Sequence, residues 1–468
     1  MSNVELLLQS IGDFVWGPAL MLLIVGTGVY LTIGLRGFSI TRVPDAFRLL
    51  LSSEARSKAS GAGEISPYAA LMSALSATVG VGNIAGVATA IHLGGPGALF
   101  WMWLTALVGM ATKYAETFLA ISFRQEVDGH FLGGPMYYIK LGLGQKWTWL
   151  GGCFAVFASF AALGVGAGVQ ANAVADVLRA QFGVPSTVSG LVLVVLTFVV
   201  LVGGLRRIAA VSEKLVPFMI LLFLSAGFIV LALNIAALPR ALSLIFTSAF
   251  TGAAAAGGFA GAAVGAAMRF GIARGLFSNE AGLGSAAILH ATARSNDPVK
   301  QGAIGMLGTF IDTLVVNSMT GLVIISTGAW LSGKTAAPLT AFAYESALPG
   351  VGSIIVSISL ILFAFTTILG WSVYGERSAV YLVGVRAIKP YRYLWCLAVG
   401  VGAVTSLSTA WLVADIMNAL MALPNLVALL ALSPLIFKLT REHLASGPML
   451  SAKLGHAETS SPNTGEIK

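Results

Sequence analysis

The feature that most constrains this chain is a recurrence of long apolar stretches. Segments of about 20 or more mostly apolar residues centre on 15–35, 67–93, 97–123, 148–178, 187–204, 212–236, about 260–292, 299–331, 353–384, 393–413 and 416–438. Each is long enough to cross a bilayer as a helix, so the pattern predicts an all-α polytopic membrane protein with eleven transmembrane helices. Composition agrees: 57% of the 468 residues are hydrophobic and 10% are charged, where a soluble domain carries roughly a quarter charged. The mean hydropathy is +0.88. A water-soluble core is excluded.

An odd number of spans puts the termini on opposite sides, and basic residues set the direction. With the N-terminus outside, the inside segments hold 21 lysines and arginines, while the outside loops hold only Arg179, Arg240 and Lys334. Basic residues concentrate on the cytoplasmic side, so the expected topology is N-terminus out and C-terminus in. That placement also accounts for the net charge of +8 without nucleic acid as a partner. The opening stretch MSNVELLLQSIGDF contains no Lys or Arg, unlike a cleaved signal peptide. Cys153 and Cys396 lie in apolar stretches and form neither a disulfide framework nor a metal-ligand spacing.

Two spans carry helix breakers near their midpoints. Residues 76–83 read SATVGVGN, and 278–286 read SNEAGLGSA. Each has Gly-x-Gly followed by a small polar residue, Asn83 or Ser285, and then a small-residue run. Packing glycines of the small-xxx-small type account for most of the 55 glycines, but these two sites are paired. If the span at 15–35 is an extra, the motifs fall in the first and sixth of ten remaining helices, which run in opposite directions. An inverted five-plus-five repeat requires that arrangement. Unwound backbone in hydrocarbon survives only where it lines a cavity. There it offers half-helix N-termini for a carboxylate and free carbonyls for Na+. The domains follow: 1–65 as an extra helix with a basic loop, 66–237 as the first repeat, 238–438 as an external loop with the second repeat, and 439–468 as a polar cytoplasmic tail. For the second interruption, Ser278–Gly284 and Phe270-Gly271 are both open.

Three runs carry a resemblance: GGPGALFWMW at 94–103, GGPM at 133–136 and GLFSNEAGLGSA at 275–286. With them the chain resembles the alanine/glycine:cation symporter family over nearly all its membrane region. That family is similar in architecture to the LeuT-type sodium-coupled amino-acid transporters. The resemblance implies uptake of alanine or glycine, small neutral amino acids, driven by Na+ or H+ across a bacterial inner membrane. Na+ would be the co-transported ion, with no organic cofactor. In the LeuT-type pattern, backbone amides at Gly80 and Gly82, ahead of Asn83, grip the substrate carboxylate. Carbonyls of Ala77 and Val79 hold sodium, with the Thr78 hydroxyl between those tasks. The adjacent hydroxyls of Thr366 and Thr367 in FAFTTILGW match the pair that completes the sodium shell. Hard cations take oxygen ligands; threonines back-bonding to their own helix are the alternative.

Other polar groups stand out on their own chemistry. Gln170, in GVGAGVQANAV, places an amide in hydrocarbon, which is costly without partners. It can donate to and accept from an amino acid, or instead bond Asn172 or a neighbouring helix. Phe277 and Trp371 are expected to wall a small pocket, with Phe270 replacing Phe277 if the break lies at 270–271. Asn279 lies in the second motif and joins the substrate-binding candidates. Asp312 is an intramembrane carboxylate, hence a functional candidate. It serves an ion path or pairs with Lys113, Arg269 or Arg274, and Asn317 lies five residues on. Glu116 and Glu280 share the ambiguity, and Lys113–Glu116 has the spacing of a helix-face pair. His92 and His290 are given no role. No His-Glu-x-x-His, Gly-x-Ser-x-Gly or acidic metal pair supports an enzyme, and no repeated pore motif supports a channel. Among carriers, the threonine pair favours sodium over protons.

Overall fold

The computed structural model describes residues 3–57, 61–251, 260–405, 408–447 and 449. Of the expected polar tail at 439–468, residues 448 and 450–468 lie outside the described residues. The described residues are helical almost throughout, with one short β-hairpin among them, β1 (Gln125–Val127) paired antiparallel to β2 (His130–Leu132). Among the described residues, six helices are long and apolar enough to span a membrane, and a seventh span is present if one bent pair counts as a single crossing.

In chain order the principal helices are α1 (Asn3–Val15), α2 (Pro18–Gly34), α3 (Pro67–Thr78), α4 (Val87–Gly94), α5 (Gly97–Ser122), α6 (Thr148–Ala161), α7 (Val169–Phe182), α8 (Ser186–Val202) and α9 (Gly204–Leu233). They continue as α10 (Leu238–Thr251), α11 (Ala260–Asn279), α12 (Ser285–His290), α13 (Pro298–Thr309), α14 (Ser318–Ser326), α15 (Ala336–Ala347), α16 (Gly352–Val383), α17 (Ile388–Val404), α18 (Ser408–Leu420) and α19 (Ala422–Ala445). Three π-helical stretches join neighbours: Gly82–Gly86 leads into α4, Ala162–Gly168 joins α6 to α7, and Phe310–Asn317 joins α13 to α14. Such widened turns recur at functional sites, and all three surround the first interruption.

Local chemistry explains the starts and bends. Pro67 and Pro298 occupy the first helical turns of α3 and α13, where a missing N–H costs nothing. Ser66 and Asp297 cap them: the Ser66 hydroxyl accepts from Ala69 N at 3.1 Å, and Asp297 Oδ1 accepts from Val299 N at 2.9 Å. The first apolar stretch, expected over 15–35, is instead helical from residue 3 and broken between α1 and α2. Extended Gly17 followed by Pro18 makes that break, because a proline disfavours helix at the residue before it.

Two further boundaries differ from expectation. The external loop expected from residue 238 contains α10, whose Phe246 and Phe250 rings pack on Phe100 at 5.8 and 5.0 Å. The final spans, expected at 393–413 and 416–438, divide earlier: α17 ends at Val404, and a nearly continuous helical span covers Leu412–Ala445.

The two interrupted helices lie side by side and antiparallel. Ile65, just before α3, forms a parallel bridge with Ala293, just after α12. At the other end, a Cβ on Gly94 would sit 3.0 Å from Ala267 Cα in α11. Helix α5 packs along α11 and α13, and α16 packs against α3, α6, α7 and α9. The breaks therefore meet at mid-depth, enclosed by α5, α13, α16 and α7.

Candidate functional site

At the first break, α3 stops at Thr78, Val79 is extended, and helix resumes at Gly82 with a bend of 52°. In an unbroken helix the Val81 N–H would bond the Ala77 carbonyl four residues back. It meets Gln170 Oε1 instead, at 3.4 Å, so Ala77 O leaves the helical ladder. Gly80 N donates to Asn83 Oδ1 at 2.8 Å. Asn83 Nδ2 in turn donates to Asp312 Oδ1 at 2.7 Å and to Asn317 Oδ1 at 2.8 Å. Asp312 Oδ2 accepts from Ser278 Oγ at 2.9 Å and Thr313 Oγ1 at 2.8 Å. The amide and carboxyl groups thus pin the break to the π-helical stretch of 310–317 and to the end of α11. All of these side chains are buried.

Val79 O faces Thr367 Oγ1 at 3.4 Å, and Thr367 also donates to Phe363 O at 3.0 Å. Only glycine fits at position 80: a Cβ there would lie 2.5 Å from Thr367 Oγ1 and 3.4 Å from Gln170 Oε1. The structure therefore brings Val79, Gly80, Asn83, Gln170 and Thr367 together, and Gly82 lies against Phe277 and Ser278. Thr366 is one step removed, its hydroxyl bonding Phe363 O at 2.9 Å and Met219 S at 3.3 Å. The Thr78 hydroxyl turns back to Ala74 O and Leu75 O in its own helix, at 3.3 and 3.4 Å. Asn279 Nδ2 reaches Thr313 Oγ1 at 3.1 Å, and its Oδ1 accepts from Ala281 N at 3.0 Å. Its bonds hold the second break rather than open onto the first. Trp371 packs on Gly166 and Tyr374, the latter with ring centroids 5.3 Å apart. Phe277 instead lines a cavity with Trp16, Phe270, Arg274, Leu412 and Asp415, and Trp371 is not part of that wall.

The second break falls at Glu280–Gly284, not at Phe270-Gly271. Helix α11 runs unbroken through both of those residues to Asn279. Glu280, Gly282 and Gly284 then take positive φ of 55°, 93° and 79°, a region glycine tolerates at little cost. Glu116 Oε1 accepts from Gly282 N at 2.9 Å and Gly284 N at 3.0 Å, and from Asn425 Nδ2 at 2.8 Å. Asn425 is further held by Tyr138. Lys113 Nζ stands 3.9 Å from Glu116 Oε2, the helix-face pair expected from the spacing. Asp312 is held by an amide and hydroxyls. Of the bases weighed as its partners, Arg269 pairs with Asp13 at 3.2 Å and Arg274 lies 5.8 Å from the Phe277 ring centroid. Asn425 and Tyr138 gave no sequence signal, since each is a lone polar residue far along the chain.

At the end of the molecule where Ile65 meets Ala293, two arginines tie neighbouring segments together. Arg124 donates to the carbonyls of Ala62, Ala291, Ala293 and Ser295 at 2.6–3.0 Å. Beside it, Arg377 Nη2 bonds Glu64 Oε1 at 2.9 Å.

Apolar spans, two facing interruptions and a polar cluster between them define a helical multi-pass membrane transporter, not an enzyme. The profile of the sodium:alanine symporter family matches residues 1–449, and the chain belongs to that family. It is 45% identical over 442 residues to the sodium/alanine symporter AgcS of Methanococcus maripaludis, covering 93% of this chain and 96% of that protein. It is 46% identical over 445 residues to an uncharacterized transporter of Haemophilus influenzae, covering 94% and 96%. A probable sodium/glutamine symporter GlnT of Bacillus subtilis is 35% identical over 434 residues, covering 92% and 89%. Among solved structures, a manganese transporter of Eremococcus coleocola superimposes with a TM-score of 0.51 at 15% identity, covering 85% of this chain and 84% of that one. That likeness concerns the fold alone.

Proposed function

We propose that this protein imports alanine, glycine or both together with Na+ by alternating access, across a bacterial inner membrane with its N-terminus outside and C-terminus cytoplasmic. In this reading eleven helices cross the bilayer, one extra followed by an inverted five-plus-five repeat. The observation that carries it is the first break, where the Val79 carbonyl faces the Thr367 hydroxyl at 3.4 Å while Gln170 stands over the Val81 N–H. Oxygen ligands without a buried charge suit Na+. Directly beside them, the N–H groups that open a half-helix suit a carboxylate. The family and the relative named for sodium and alanine support the same pairing.

The test is uptake of labelled alanine, glycine and glutamine into proteoliposomes, glutamine entering the panel because of the GlnT relative. An inward Na+ gradient should concentrate alanine or glycine, and choline in place of Na+ should abolish uptake. Concentration driven by a pH gradient without Na+ would establish proton coupling instead. Equilibration without concentration would make the protein a channel.

A further inference from the structure

A separate cavity of about 530 Å³ opens at the basic end of the molecule, away from the two breaks. Its walls come from the β-hairpin at Gly129 and His130, the turn between α8 and α9 at Val202–Arg206, the end of α16 at Glu376 and Arg377, and the segment Val385–Arg392 that opens α17. Two carboxylates there are already matched: Glu64 by Arg377 at 2.9 Å and Glu376 by Arg392 at 2.6 Å. Arg206, Arg386 and Lys389 remain as surplus positive charge on the lining, all three exposed. At the floor, Arg377 is 2% exposed, and its Nε and Nη1 have no hydrogen-bond partner among the described residues. Buried guanidinium N–H groups without acceptors are costly, and their planar fork fits a phosphate or carboxylate. The opening turn of α9, a helix of 30 residues, contributes Gly204 and Leu205 to the same wall. That adds amide N–H groups of the kind that bind anions.

The rim is as informative as the floor. Val202 in the cavity wall is 60% exposed, and Val383, Tyr393 and Leu394, which adjoin the lining residues Val385 and Arg392 in the chain, are 72%, 64% and 46% exposed. An anion-binding pocket bordered by outward apolar side chains at a membrane interface matches an amphiphile, with its charged head inside and its chains outside. We propose that this cavity binds the phosphate headgroup of an anionic phospholipid. Basic pockets between membrane helices favour such headgroups. The shared chemistry is a phosphate anion; the apolar rim selects the lipid over free phosphate. Because Arg377 also holds Glu64 just ahead of α3, a bound headgroup would lie against that ion pair.

Native mass spectrometry of the delipidated full chain tests the assignment, with phosphatidylglycerol, phosphatidylcholine and inorganic phosphate as probes. The wild type should retain one phosphatidylglycerol in preference to phosphatidylcholine. The variant R206Q/R386Q/K389Q should bind it about 10- to 100-fold more weakly, and millimolar phosphate should not displace it. R206K/R386K/K389R preserves charge and should keep the lipid, which separates lost charge from a lost fold. Equal retention of the two lipids, unchanged binding by the glutamine variant, or displacement by phosphate would each overturn the proposal.

Discussion

Replacing Asn83 with aspartate is a sharp probe, because it keeps the shape of the first break and changes one donor into an acceptor. In N83D the introduced carboxylate would still accept from Gly80 N, so the local turn keeps its cap. What changes are the two bonds donated by Nδ2, to Asn317 Oδ1 at 2.8 Å and to Asp312 Oδ1 at 2.7 Å, and the charged contact to Asp312 dominates. Two carboxylates at that separation of 2.7 Å repel by about 6 kcal/mol at an effective dielectric of 20. Relaxation of the π-helical stretch of 310–317 would relieve part of this. Alanine binding should therefore weaken at least about 100-fold, measured by scintillation proximity with labelled alanine at saturating Na+. Asp312→Asn on the same background restores a donor facing the introduced carboxylate and leaves an oxygen for Ser278 and Thr313. The double variant N83D/D312N should recover to within about 10-fold of wild type, a coupling far beyond additive behaviour. If N83D binds alanine normally, or if D312N deepens the loss, the pairing of Asn83 with Asp312 does not hold the break in its working shape.

Other outcomes follow from the same geometry. Thr367→Ala should raise the Na+ concentration for half-maximal uptake about 10-fold, and Thr366→Ala by less, since only Thr367 reaches Val79 O; an equal rise in both would reject that ranking. Gly80→Ala should abolish Na+-dependent binding because its Cβ would meet Thr367 Oγ1 at 2.5 Å. Gly82→Ala, whose nearest neighbour is 3.7 Å away, should bind sodium normally. Gln170→Ala should weaken alanine binding about 10-fold with the melting temperature nearly unchanged, and unaltered affinity would remove Gln170 from the site. Trp371→Ala should lower stability by about 3–5 kcal/mol through a cavity beside Gly166, without admitting larger amino acids; uptake of leucine by this variant would return Trp371 to the pocket wall.

Sequence reading went furthest where the signal was local. Glycine spacing located the first interruption and left two positions open for the second, and a Lys-x-x-Glu spacing located the Lys113–Glu116 pair. Thr367 could be picked from its hydroxyl, but its ranking over Thr366 depended on the rotation of α16, which no local pattern encodes. Thr78 shows the same limit: its hydroxyl was expected between substrate and sodium, and it bonds Ala74 O and Leu75 O of its own helix instead. Asp312 was visible as a buried charge, yet its partners Asn83 and Ser278 lie 229 and 34 residues away in the chain. The π-helical widenings at 162–168 and 310–317 were not legible either. They are single-residue adjustments within apolar runs that read as ordinary helix.

Glu116 gives the two interruptions different futures. At the second one, a carboxylate of the protein already occupies the amides of Gly282 and Gly284, as a tethered ligand that never leaves. At the first, the comparable position is spanned only by neutral amide groups, those of Asn83 and Gln170. Two motifs nearly alike in sequence thus become one joint held by a carboxylate and one held by neutral amides. The asymmetry between two breaks so alike in sequence rests on a single glutamate on α5.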